Sequence, residues 1–174
     1  MKKPKNFKHT WIAEAELHLE NSDEAILRSS TGWLNDKLID AAQLLLTEVS
    51  PVRIPGFQSV AIGIARMFDV QDGEFIQILN TGEGHWVTVS AIGKEHPRVN
   101  VYYYDSMYST ASTDLQEQVA SILSASCSVI ILDFINVPLQ SGSSDCGLYA
   151  IANATALVMG KNPASYQYSM IRSR

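Results

Sequence analysis

Along the chain the spacing of apolar residues changes from helical to strand-like and back. Leu38, Ile39, Ala42, Leu45, Leu46 and Val49 recur at the three- and four-residue intervals of one buried helix face. Asn35 stands before them as a candidate N-cap, Asp36 suits the first turn, and Pro51 follows the end. Residues 50–74 mix Pro, Gly and a short apolar run from Val60 to Phe68, which predicts a loop, a short helix and another loop. From Phe75 the period is two, and residues 75–80, 85–92 and 99–105 predict three strands joined by turns containing Gly or Pro. Thr113 and Gln116 then form a T-x-x-Q capping box for a helix whose apolar face is Leu115, Val119, Ile122 and Leu123. Residues 129–137 are almost continuously apolar, as expected of a strand covered on both faces. A polar loop, 140–145, leads into a last helix with Leu148, Ile151, Ala152, Thr155, Val158 and Met159 as its buried face. Gly160 and Pro163 end it.

This order predicts an α+β fold with a mixed, mostly antiparallel central sheet flanked by helices. No repeat or linker divides the chain, so residues 23–174 read as one domain, and residues 1–22 as an N-terminal arm or helix. A length of 174 residues fits one domain with its own core. With 46% hydrophobic and 18% charged residues the composition is globular. The net charge of -5 speaks against a nucleic-acid-binding surface. Asp133 and Asn136 break one apolar stretch, and Asn153 and Thr155 the other, so neither offers the roughly 18 apolar residues of a membrane span. The basic start lacks an apolar run after it, which argues against a secretory signal. Two cysteines are too few for a disulfide framework or a four-cysteine zinc site. They suit a reducing compartment, here expected to be the cytoplasm or nucleus. A monomer is expected.

Cys146 opens the last helix, where the positive end of the macrodipole favours a thiolate, the form that acts as nucleophile. A small residue in a first helical turn explains the position equally well. Cys127 precedes the apolar strand and reads as packing. A nucleophilic cysteine needs a base, and the base a group to orient it. Among the four histidines, His9 and His18 fall in the N-terminal region and His96 in a turn before Pro97. His85 begins a strand after a Gly82-Glu83-Gly84 turn, a place from which a side chain can point into a cleft. Asp105 ends the neighbouring strand and could orient the imidazole, or could simply start an Asp-Ser turn. Gln140, six residues before Cys146, could give an N–H to a developing oxyanion beside the backbone N–H of Cys146, or be a surface glutamine.

Taken in order, Trp33-Leu34-Asn35-Asp36 with Leu38-Ile39, His85-Trp86, Asp105-Ser106 and Gln140 through Asp145-Cys146-Gly147 form one pattern. It resembles the ubiquitin-like-protein proteases, cysteine peptidases that include the SUMO proteases and lie near adenovirus protease. The resemblance covers about residues 22–160. It implies a papain-like cysteine protease fold, with Cys146 as nucleophile, His85 as general base and acid, Asp105 as orienter and Gln140 in the oxyanion hole. It also implies that Trp33 and Trp86 cover a narrow tunnel for a Gly-Gly tail, and it places Asp36 among the substrate-binding residues. The chain is shorter than typical SUMO protease domains. Its Ser141-Gly142-Ser143-Ser144 loop stands where relatives often carry Asn and an aromatic.

The activity implied is cleavage after the C-terminal Gly-Gly of ubiquitin or a ubiquitin-like modifier, in deconjugation or precursor processing. The partners implied are that modifier and its conjugates, with no cofactor and no metal. An acetyltransferase of the same clan, or a module that binds a modifier without cutting it, are the competing readings.

Overall fold

The change of period at Phe75 marks the start of the main sheet. The computed structural model describes residues 10–12, 17–69, 71, 73–82, 84–91, 98–123 and 129–168. Strands β1 (Thr10–Ile12) and β2 (Leu19–Glu20) are followed by helices α1 (Asn21–Arg28), α2 (Asp36–Val49) and α3 (Val60–Ile64). Then come strands β3 (Phe75–Asn80), β4 (Trp86–Ala91) and β5 (Arg98–Tyr104), helix α4 (Thr113–Ile122), strand β6 (Val129–Phe134) and helix α5 (Cys146–Val158). A 3-10 turn at Pro163–Ser165 closes the described chain. Within residues 1–22, expected as an arm or helix, the described residues include a small antiparallel pair, β1 with β2, that runs into α1. His9, His96 and Cys127 lie outside the described residues, as do residues 1–9 and 92–97.

The main sheet has the order β3-β4-β5-β6. The pairs β3–β4 and β4–β5 are antiparallel, and β5–β6 is parallel, with α4 as the crossover. This is the mixed, mostly antiparallel sheet that the pattern predicts. Two apolar clusters cover its faces. Leu38, Ile39, Ile76, Ile78, Trp86, Ala150 and Ala154 pack α2 and α5 against one side. Phe75, Leu79, Val87, Val89, Val101, Leu115, Val119 and Ile122 pack α4 against the other.

Both faces of β4 are buried, with Thr88 and Ser90 fully covered. Thr88 Oγ1 donates to the Ala150 carbonyl at 2.7 Å, and Ser90 shares a 3.2 Å bond with the Tyr104 hydroxyl, which offsets their desolvation. The run at 129–137 is not a strand covered on both faces; β6 is an edge strand with Val129 48% exposed. Its apolar composition fits a strand with one long flank against the sheet, and composition alone cannot tell edge from centre. The cap of α4 sits one residue earlier than predicted. Ser112 Oγ accepts from Leu115 N at 3.1 Å, and the Gln116 side chain turns to the Ala111 carbonyl instead of closing a box.

The expected face of α5 also needs correction. Cys146, Tyr149, Ala150, Asn153, Ala154 and Val158 are buried, Leu148, Ile151, Ala152 and Thr155 half-buried, and Met159 exposed. The helix is apolar nearly all round, so periodicity marks no single face, and docking on β3 and β4 chooses it. In α2 the cap follows the pattern, with Asn35 Oδ1 accepting from Leu38 N at 3.0 Å, but of the expected face only Leu38, Ile39 and Leu46 are buried; Ala42 is half-buried, and Leu45 and Val49 are 48% and 56% exposed.

Candidate active site

Cys146 is the first residue of α5 and is 2% exposed. Its Sγ lies 3.9 Å from the carbonyl oxygen of Gly84, in the turn that leads into β4. That turn is built by hydrogen bonds from His85 N to the Gly82 carbonyl and from Thr81 N to the His85 carbonyl, at 3.1 and 2.9 Å. Gly84 has φ +76°, a conformation strained for other residues. A Cβ at Gly84 would stand 3.2 Å from the Trp33 ring, so the backbone passes close against the indole. The turn therefore presents His85 next to the thiol, with β4 as the rigid base.

His85 is 9% exposed, and its Nε2 lies 2.9 Å from each carboxylate oxygen of Asp105. This contact makes Nε2 the protonated nitrogen and leaves Nδ1 for the thiol. Burial lowers the imidazole, but the hydrogen bonds and charges of Asp105 and Cys146 outweigh it and raise it from 6.5 to about 9. The ring is also met edge-on by Tyr108, with centroids 5.1 Å apart.

Asp105 follows the end of β5 and is 4% exposed. Its Oδ1 also accepts from Met107 N and Tyr108 N at 2.7 and 3.0 Å. Both readings of Asp105 are thus realised together: it starts the turn and holds the histidine. The structure brings Cys146 against the His85 turn and His85 against Asp105, across 62 residues from Cys146 to Gly84 and 20 from His85 to Asp105.

Gln140 is tied to the same turn. Its N–H donates to the Ser106 carbonyl at 3.1 Å, and its Oε1 accepts from Ser106 Oγ at 2.7 Å. Its Nε2 donates to the Gly142 carbonyl at 2.7 Å. A cleft of about 760 Å³ runs past this ensemble, lined by Trp33, Thr81, His85, Met107, Tyr108 and Ser143 among others. Trp33 is 46% exposed on its rim. Trp86 is 3% exposed in the core, and its Nε1 donates to the Leu34 carbonyl at 2.9 Å, which fixes the Trp33-Leu34 segment between β4 and α5. Asp36 is exposed at the start of α2.

Three contributors escaped the sequence reading: Ser106, Tyr108 and Asp23. Asp23 is 2% exposed, accepts from Glu20 N and Asn35 Nδ2 at 2.8 Å each, and so joins α1 to the start of α2 beside Trp33. Burial raises its carboxyl, while those bonds and the Lys37 charge hold it below its ordinary value. Only the Asp105-Ser106 and Trp33-Asn35 adjacencies hinted at Ser106 and Asp23. Among the described residues no group of three His, Cys, Asp or Glu stands close enough to hold a metal ion.

The model of the Ulp1 protease family, C-terminal catalytic domain, matches residues 66–174. The chain belongs to the Ulp1 protease family. It is a cysteine peptidase, and the matched span contains His85, Asp105, Gln140 and Cys146. No curated protein matches the sequence. Solved Ulp1-family structures share its fold. One is the SUMO protease Ulp1 with its catalytic cysteine oxidised to a sulfinic acid, at 19% identity and TM-score 0.66, covering 92% of this chain and 81% of that one. The C-terminal Ulp1 protease domain in complex with SMT3, the yeast ortholog of SUMO, matches at 18% identity and TM-score 0.62, over 89% of this chain and 78% of that one. The Xanthomonas campestris effector XopD bound to ubiquitin matches at 15% identity and TM-score 0.55, over 75% and 76%.

Proposed function

We propose that this Ulp1-family peptidase cleaves after the C-terminal Gly-Gly of ubiquitin or a ubiquitin-like modifier through Cys146, His85 and Asp105. The observation that carries the reading is His85, pinned by both oxygens of Asp105 through Nε2 and interacting with the Cys146 side chain, which leaves Nδ1 for the thiol. Nδ1 takes the thiol proton, and the imidazolium so formed is stabilised by Asp105. The thiolate attacks the carbonyl of the terminal glycine. The imidazolium then returns the proton to the departing amine, which leaves a thioester between Cys146 and the modifier. Water, deprotonated by His85, hydrolyses that thioester and frees the thiol. The backbone N–H of Cys146 and the Gln140 amide supply donors to the tetrahedral oxyanion. Trp33, packed close against the side-chain-free Gly84, narrows the approach in a way that suits a glycine tail. The likeness of fold to one relative in complex with SMT3 and another bound to ubiquitin supports a modifier of that class as partner.

The test is a panel of ubiquitin, SUMO and related modifiers carrying a C-terminal electrophile. A covalent adduct with the wild type and none with Cys146→Ala is expected. Absence of labelling above that control across the panel would sink the proposal.

A further inference from the structure

We infer that Ser106 is a positioning residue that aims the Gln140 amide at the reacting carbonyl, with the Gly142 carbonyl as its counterpart; this rests on the reading of Cys146 as the nucleophile. A primary amide has an acceptor at one end and two N–H donors at the other. The Gly142 carbonyl, 2.7 Å from one end of the amide, can only accept, so the NH₂ end must face it. A reversed amide would set two acceptor oxygens against each other. The Ser106 hydroxyl, 2.7 Å from the other end, therefore donates to Oε1. Gln140 N also donates to the Ser106 carbonyl at 3.1 Å. The side chain is thus held at both ends and at its root, by two different loops.

One N–H of Nε2 is used on Gly142. The second has no partner among the described residues and remains for a substrate oxygen. The loop that carries Gly142 is the short Ser-Gly-Ser-Ser stretch that departs from the family pattern. Gly142 has φ +102°, a conformation in which a side chain would be strained, and there its carbonyl meets the amide. Ser106 is 3% exposed, so its hydroxyl is not a surface group, and the bond to Gln140 answers its burial. It also follows Asp105 directly. One dipeptide therefore holds the base with its first residue and the oxyanion donor with its second.

A donor aimed at the oxyanion acts only in the transition state, so its loss lowers kcat and leaves KM alone. Removing such a donor costs about 10²–10³ in kcat. Freeing it to rotate costs part of that, and about a 10- to 50-fold loss is expected for Ser106→Ala. The experiment uses a Cys127→Ser background, in which Cys146 is the sole thiol. Turnover of a modifier fused through Gly-Gly to a fluorogenic amine is measured beside the rate of alkylation by iodoacetamide, which passes through no oxyanion.

For Ser106→Ala, kcat falls with KM, alkylation rate and alkylation pH profile unchanged. Ser106→Thr, which keeps the donor, restores most of the rate. In a Gln140→Ala background, Ser106→Ala has no further effect. Equal losses in turnover and alkylation, multiplying losses in the double variant, or an unchanged kcat would each overturn the inference. Failure of the underlying reading shows separately: the parent would turn over no substrate, and its Cys146 would alkylate at the rate and with the pH profile of an ordinary free thiol.

Discussion

Asp105→Asn isolates the electrostatic hold on His85 from the turn that Asp105 also builds. The asparagine carbonyl can still accept from Met107 N and Tyr108 N, so the turn survives. What disappears is the negative charge 2.9 Å from Nε2. In the wild type, burial lowers His85 and is outweighed by bonds and charges, which raise it from 6.5 to about 9. At about 1.4 kcal/mol per pH unit this separation corresponds to about 3 kcal/mol favouring the imidazolium. Because the folded value is raised, that stabilisation is fully present below pH 6.5 and is lost as pH rises through about 9. In Asp105→Asn the burial that opposes protonation remains with less to outweigh it, so the titration moves down towards or below its ordinary value. An imidazolium lost near neutral pH cannot protonate the departing amine, and the amide also favours the wrong tautomer. A fall in kcat/KM of about 10²–10⁴ is expected. The assays are NMR titration of the His85 ring and kcat/KM against pH. The alkaline limb near pH 9 in the wild type should shift downward in the variant. A His85 titration still near 9, or a loss of activity under about threefold at pH 7, would refute the reasoning.

Three further outcomes follow from the packing. Gly84→Ala combines a positive φ with a Cβ 3.2 Å from the Trp33 ring; a loss of about 1–2 kcal/mol in urea unfolding is expected, with reduced turnover as the Gly84 carbonyl moves from Cys146. Trp86→Phe removes the Nε1 donor to the Leu34 carbonyl, and should cost about 1–3 kcal/mol in denaturant while weakening substrate binding at the neighbouring Trp33. Ser112→Ala removes the N-cap of α4; the thermal midpoint should fall by the equivalent of about 1 kcal/mol.

The local rules carried the reading furthest where a single signal dominates. Asn35 marked the start of α2 to the residue, and β3 begins and ends where the period-two run does. The four spaced motifs placed the candidate site residues in order, because each sits at a strand end or helix start that the pattern itself marks. Ser106 and Gln140 show the opposite case: their pairing spans 34 residues, and nothing in either neighbourhood announces it.

By itself the sequence determined the α+β class, the order of elements, and which residues carry chemistry at the ends of those elements. Short-range spacing suffices there, since helix and strand periods are properties of neighbouring residues. The tertiary structure alone decided that β6 is an edge, that the polar side of β4 is buried under α5, and which face α5 presents. Those outcomes depend on what packs against each element across long separations, and an apolar residue looks the same in sequence whichever neighbour covers it. It also decided that Asp105 serves turn and histidine at once, because one carboxylate can accept several donors only when folding brings them to it.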